Sequence, residues 1–166
     1  VGIALTLPIS SAAICAALSL TGLAGGAAVA GCCAQMIGFA FMSFKENKWG
    51  GLVAQGVGTS MLQMPNIVRK PIIWVPAITA SAIMGPVSSA VVKMTCSPVG
   101  SGMGTSGLVG PFETYVSMTN GGTEPVIALL LIVVMQFILP AVIALSVAAA
   151  MRKLGFIKNG DMKLSV

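Results

Sequence analysis

The sequence predicts an all-α integral membrane protein. Its expected parts are about four transmembrane helices, a semi-polar interfacial segment and a glycine-rich re-entrant hairpin. Three observations predict it. Hydrophobic residues make up 56% of the chain and charged residues 8%, where a soluble domain carries about a quarter charged residues. The mean hydropathy is +0.97. The few charges are also segregated: no Asp, Glu, Lys or Arg falls within residues 1–44, 71–92 or 125–151. A membrane-spanning helix needs roughly 20 mostly apolar residues. The first run therefore holds two spans and a turn, and each of the others holds one.

The elements follow in order. The first span is expected over residues 2–20, broken early by Pro8, with a short turn at Thr21 and Gly22. The second covers 22–44. Its small residues Gly22, Gly26, Ala30, Ala34 and Gly38 recur every four positions on one helix face, where backbones can approach closely. Lys45, Glu46 and Lys48 form a polar loop, and Trp49 is an interfacial anchor. Residues 50–66 are too interrupted by polar groups to face lipid. They form either a short interfacial helix or a segment buried against other helices, with Thr59, Gln63 and Asn66 solvating the surface or lining a cavity. The third span covers 71–94, with Pro76 and Pro86 inside it. A proline within a span kinks the helix and frees a carbonyl.

Residues 95–115 contain Gly100, Gly102, Gly104, Gly107 and Gly110. Such a stretch forms helix poorly and is too apolar for a solvated loop. Irregular backbone at membrane depth is tolerated only when buried in protein or lining a cavity, which predicts a re-entrant hairpin. The last span covers 125–151 and is kinked by Pro140. The membrane domain is therefore residues 1–151, and residues 152–166 form a tail. No basic region precedes the first apolar run, so a signal peptide is not expected.

Eight of the nine Lys and Arg residues lie after span two or span four, at 45, 48, 69, 70, 152, 153, 158 and 163; Lys93 is the exception. The positive-inside rule puts both regions, and both termini, in the cytoplasm. The formal net charge of +5 thus reflects orientation against membrane lipid. The basic residues flank apolar runs and form no single patch, so no nucleic-acid partner is expected.

Catalytic chemistry has little to work with. The chain has no histidine, which excludes a His-centred triad or a phosphohistidine within it. Cys15, Cys32, Cys33 and Cys96 match no zinc spacing, and their plain reading is small buried apolar residues. No metal and no cofactor is expected. The four acidic residues are widely spaced. Glu113 and Lys93 either pair across the glycine-rich stretch or sit in the headgroups.

Binding candidates remain. Residues 102–107 spell G-x-G-x-x-G, but no βαβ unit surrounds them, so the dinucleotide meaning does not apply. Either Gly104, Thr105 and Ser106 line a ligand with backbone amides and hydroxyls, or the stretch is a close-packed broken helix. Glu124, just ahead of the last span, is an ionisable group near membrane depth, which is costly without a use. A carboxylate also suits a polyhydroxylated ligand. The plain reading of Glu124 is a helix-N-terminal glutamate favoured by the dipole.

Three stretches carry a resemblance: G-T-S-M-L-Q-M-P-N from Gly58, G-M-G-T-S-G-L-V-G from Gly102, and G-D-M-K-L from Gly160. With the span pattern, they make the chain resemble the membrane IIC component of the bacterial sugar phosphotransferase system. The branch is the one often found without attached IIA and IIB domains. The chain looks like the C-terminal portion of such a protein. The resemblance implies a homodimeric translocator in the bacterial plasma membrane that binds a sugar on re-entrant hairpins and presents it to a cytoplasmic IIB-type partner. The phosphoryl-carrying Cys and His would belong to IIB and IIA, so this chain is at most the membrane subunit of a sugar phosphotransferase. In the glucose-type branch the sugar-binding glutamate lies in G-I-T-E-P; Gly121, Thr123, Glu124 and Pro125 match, with Gly122 in place of Ile. Other branches also place a histidine at the sugar, and here the chain departs. The implied substrate-binding set is Glu124, Thr123, Thr105, Ser106, Gly104, Asn66 and Gln63. The alternatives are a non-transporting membrane sensor of the same fold and a structural membrane protein.

Overall fold

The computed structural model describes residues 1–164. The chain is helical and membrane-embedded, with no β-strand among the described residues. Three helical stretches are long and apolar enough to cross a membrane: Gly22–Met42, Pro71–Val92 and Pro125–Lys153. These match the second, third and fourth expected spans within a few residues.

The expected first span, residues 2–20, is not one continuous helix. It folds as two short helices, α1 (Gly2–Thr6) and α2 (Ser11–Ala17). Pro8 lies between them and has no N–H to continue a helical ladder. Ser10 then restarts the chain as an N-cap, its side chain accepting from the Ala13 N–H at 3.2 Å. Three membrane-length helices therefore stand where four were expected.

Helix α3 (Gly22–Met42) is the centre of the bundle, buried almost completely from Val29 to Ala40. A helix apolar on all sides belongs in an interior. The expected small-residue stripe explains how its neighbours come so close. A Cβ added at Gly26 would overlap the Met94 carbonyl oxygen, and one at Gly38 would sit 3.2 Å from the Ala144 Cβ. The close approaches are thus made within the chain.

Helix α4 (Phe44–Val53) follows, then a π-helical turn (Ala54–Gly58), a 3-10 turn (Ser60–Gln63) and α5 (Met64–Arg69). Gln55, Gly56, Ser60, Gln63 and Asn66 are buried. Of the two readings of residues 50–66, the segment packed against other helices holds. A 3-10 turn (Pro71–Trp74), α6 (Val75–Pro86) and a π-helical stretch (Val87–Val92) form the next long helix. Lys93, in a left-handed conformation, ends it.

Residues 95–115 break as expected. Helix α7 (Pro98–Met103) stops at Gly104, a 3-10 turn (Ser106–Leu108) follows, and α8 (Val109–Asn120) leads away. Gly104, Gly107 and Leu108 all have positive φ, which no continuous helix contains. Gly104 has a second constraint: a Cβ there would meet Cys32 at 2.9 Å. The last long helix combines α9 (Pro125–Ile132), a π-helical stretch (Val133–Ile138) and α10 (Leu139–Lys153). The wide turns fall directly before Pro140, which cannot donate to the Gln136 carbonyl. Helix α3 packs against α6, α10, α7 and α1.

Candidate functional site

An uncharged membrane interior leaves polar side chains with only each other as partners. In this chain they gather around Gln35, in the buried middle of α3. Its Oε1 accepts from Trp74 Nε1 at 2.8 Å and from Thr6 Oγ1 at 3.3 Å, and its Nε2 donates to Ser81 Oγ at 3.2 Å. Thr6 and Ser60 share a hydroxyl hydrogen bond of 2.9 Å, and Ser81 donates to the Gly31 carbonyl at 2.6 Å. Gln35, Thr6 and Ser60 are fully buried. Half-buried Ser81 lines a cleft of about 400 Å³ with Gly2, Gly31, Ala28 and Ala82. The cleft touches the cluster through Ser81 alone.

A second buried amide sits on the last long helix. Gln136 Nε2 donates to Thr114 Oγ1 at 2.9 Å, while its Oε1 has no partner among the described residues. An unmet buried acceptor costs about 1–3 kcal/mol. A water or a solute hydroxyl bound there would recover that cost.

The expected site residues divide into three groups. Gln63 and Asn66 come together, with Asn66 Nδ2 donating to Gln63 Oε1 at 2.9 Å. Both also hold the tail: Gln63 Nε2 donates to the Met162 carbonyl at 3.0 Å, and Asn66 Nδ2 to that of Lys163 at 2.9 Å. Asn47 and Glu46 complete the clamp, bonding Met162 and Leu164 of the tail at 2.8 Å each. Met162 is fully buried in consequence.

Gly104 and Thr105 form the second group. Both are buried, with Gly104 against Cys32 and Cys33 of α3 and Thr105 donating to the Gly56 carbonyl at 2.5 Å. Ser106 beside them is half-buried. Glu124 and Thr123 form the third group, apart from the other two. Glu124 is exposed at the N-terminus of α9 and caps no helix N–H with its side chain; Thr123 is half-buried. Lys93 is exposed, and the ion pairs among the described residues are Lys70–Asp161 and Arg152–Glu46 instead of Lys93–Glu113.

The three stretches that carried the resemblance thus converge. The first, around residues 58–66, receives the third, Asp161 to Leu164, on its amides. The second reaches the adjoining turn through Thr105 and Gly56. At the outer end of this contact, burial pushes the Asp161 carboxyl up. The Lys70 ammonium at 2.6 Å and the Lys158 amide outweigh burial and hold it below its ordinary value.

The four cysteines are free and buried. Gln35, Trp74 and Ser81 had no place among the residues expected at a site. The available signal was a lone amide within an uncharged run, which is costly unless it has partners.

Three membrane-length apolar helices around hydrogen-bonded polar clusters, interrupted by broken helices, define a multi-pass membrane protein. More narrowly, the chain belongs to the phosphotransferase system EIIC family, whose description "Phosphotransferase system, EIIC" matches residues 1–164. No curated protein and no solved structure matches it significantly. Membership supports a permease-like membrane role in that system, and with it the sugar context and IIB partners typical of the system.

Proposed function

We propose that this chain is a translocator subunit that binds and moves a sugar or small polar solute through the polar cluster around Gln35. The single observation that carries the reading is that cluster. Five side chains from four separate segments meet within the helix bundle, and one of them, Ser81, opens on a cleft. Amides and hydroxyls suit a polyhydroxylated solute, since each can donate and accept.

In this reading residues 95–115 act as a re-entrant hairpin. Gly104 brings it against α3, Thr105 fixes it to the 54–58 turn, and Ser106 remains able to meet solute. Glu124 and Thr123 act at the exposed end of the last long helix, where solute or a second subunit reaches them. Gln63 and Asn66 act indirectly, by holding the tail. The tail faces the cytoplasm of a bacterial cell, a placement the positive-inside count supports, and a IIB-type partner docks on that side. The exposed apolar residues of the last long helix, among them Val126, Leu130 and Val134, face lipid or the second subunit of a homodimer.

The test is uptake and binding of phosphotransferase sugars by the protein in proteoliposomes. We expect wild-type protein to bind and move at least one sugar, and Ser81→Leu, which closes the cleft, to do neither. Binding without uptake would point to the sensor alternative. Absence of both across the sugars would reject the reading.

A further inference from the structure

A second feature lies at the end of the bundle that carries the tail. Helices α3 and α10 finish at the same level: Arg152, next to the end of α10, donates from Nη2 to the carbonyl of Met42, the last residue of α3, at 3.0 Å. Hydrocarbon gives way to headgroups where spans end, and Phe44 and Trp49 mark that boundary with an edge-to-face ring pair at 5.2 Å. Two cavities adjoin there. One, of about 460 Å³, is apolar and includes Phe41, Phe44, Trp49, Leu52 and Leu145 in its walls. The other, of about 480 Å³, gathers four cations: Lys45, Arg152, Lys153 and Lys158. Lys45 and Arg152 belong to both.

Two of these cations have a carboxylate close by: Glu46 pairs with Arg152 at 3.4 Å, and Asp161, which pairs with Lys70, also accepts from the Lys158 amide at 2.6 Å. Lys45 and Lys153 form no ion pair among the described residues, so the four cations are only partly offset. The Nε of Arg152 is buried and has no acceptor among the described residues. An arginine N–H without an acceptor is a place for an anionic oxygen.

We infer that the paired cavities form a binding site for an anionic phospholipid. Its phosphate lies among Lys45, Arg152, Lys153 and Lys158, and an acyl chain lies along Phe41, Leu52 and Leu145. The charge fits the headgroup and the apolar cleft fits the chain, while the shared residues Lys45 and Arg152 stand at the join. Basic pockets between membrane helices on the cytoplasmic side are known to bind such headgroups. The site is separate from the Gln35 cluster and does not depend on the translocator reading.

The test compares purified protein in phosphatidylcholine nanodiscs with and without phosphatidylglycerol, reading retained lipid by native mass spectrometry and the thermal midpoint. Wild-type protein is expected to retain phosphatidylglycerol and to melt higher in its presence. Each cation near the membrane surface contributes about fivefold to affinity. The triple variant Lys45→Gln, Lys153→Gln, Lys158→Gln should therefore retain it about a hundredfold more weakly. Arg152 is left intact because it also joins the two helices. A control triple variant, Lys48→Gln, Arg69→Gln, Lys163→Gln, removes the same charge outside the cavity and should retain the lipid nearly as well as wild type. Equal losses in the two triple variants would overturn the site in favour of general surface attraction. So would a thermal shift of the same size from inorganic phosphate or glycerol phosphate, or no effect of phosphatidylglycerol on wild type.

Discussion

Replacing Gln35 by leucine removes the hub of the polar cluster while nearly keeping its volume. The consequences differ among its three partners. Thr6 keeps its bond to Ser60, and Ser81 keeps its bond to the Gly31 carbonyl. Trp74 Nε1 has Gln35 Oε1 as its acceptor and is left without one. Trp74 is half-buried, so its orphaned donor falls at the low end of the about 1–3 kcal/mol that a fully buried one costs. The other two lost bonds cost about 0.6 kcal/mol each, the average for hydrogen bonds within membrane proteins. Leucine returns part of this by apolar packing, leaving a net loss of about 1–2 kcal/mol. Trp74→Phe removes the donor that Gln35→Leu orphans, so the two changes should couple. The double variant should be less destabilised than the sum of the singles by about 1 kcal/mol or more. Reversible unfolding in detergent, followed by tryptophan fluorescence for the Gln35 variant and circular dichroism for all, measures the cycle. Strict additivity, or a neutral Gln35→Leu, would refute the hydrogen-bonded hub. Gln136→Leu is the internal comparison and should cost less, because its amide oxygen is already unpartnered.

Other expectations follow from the same contacts. Gly26→Ala forces a methyl group into the Met94 carbonyl and should destabilise by about 3 kcal/mol, the upper end for overpacking. Gly38→Ala meets the Ala144 Cβ at 3.2 Å, which can give way only with its backbone, and should cost about 1 kcal/mol in the same unfolding assay, less than Gly26→Ala. The tail clamp should weaken in acid. The Asp161 carboxyl is held below its ordinary value, so its contribution is complete above about pH 4 and is lost as pH falls through the lowered value. Hydrogen exchange at the Met162 and Leu164 amides should rise across that window, and Asp161→Asn should show fast exchange at neutral pH with no acid dependence of this origin. Glu124→Gln should leave the unfolding midpoint unchanged, since its side chain is exposed and caps no helix N–H.

Hydropathy made three long helices legible because it counts apolar residues, and those helices consist of little else. It misread residues 2–20 for the same reason. That stretch is apolar enough to span, but Pro8 interrupts the hydrogen-bond ladder, which hydropathy does not register. The break at Gly104 was readable, because clustered glycines weaken a helix that the surrounding apolar sequence would otherwise extend. The convergence of the three motif stretches was not. Each was visible separately, but that Gln63 and Asn66 grip Met162 and Lys163 depends on the folded path of the tail. The Gln35 cluster was hidden for a related reason. Gln35 stands out as an amide in an uncharged run, but its partners Thr6, Ser60, Trp74 and Ser81 do not, and only packing brings the five together. Glu124 shows the opposite case: its motif is conspicuous, yet its side chain lies outside the buried polar centre.

Equilibrium binding of phosphotransferase sugars to the purified protein in nanodiscs, wild type against Ser81→Leu and Ser81→Ala, asks whether the solute sits in the cleft at the Gln35 cluster. A sugar is expected to bind wild type, to bind Ser81→Ala more weakly and not to bind Ser81→Leu, under conditions where both variants remain folded although each loses about 1–3 kcal/mol because Gln35 Nε2 loses its acceptor. A sugar that binds all three equally well would contradict it, because the solute would then lie elsewhere than the cleft at the Gln35 cluster.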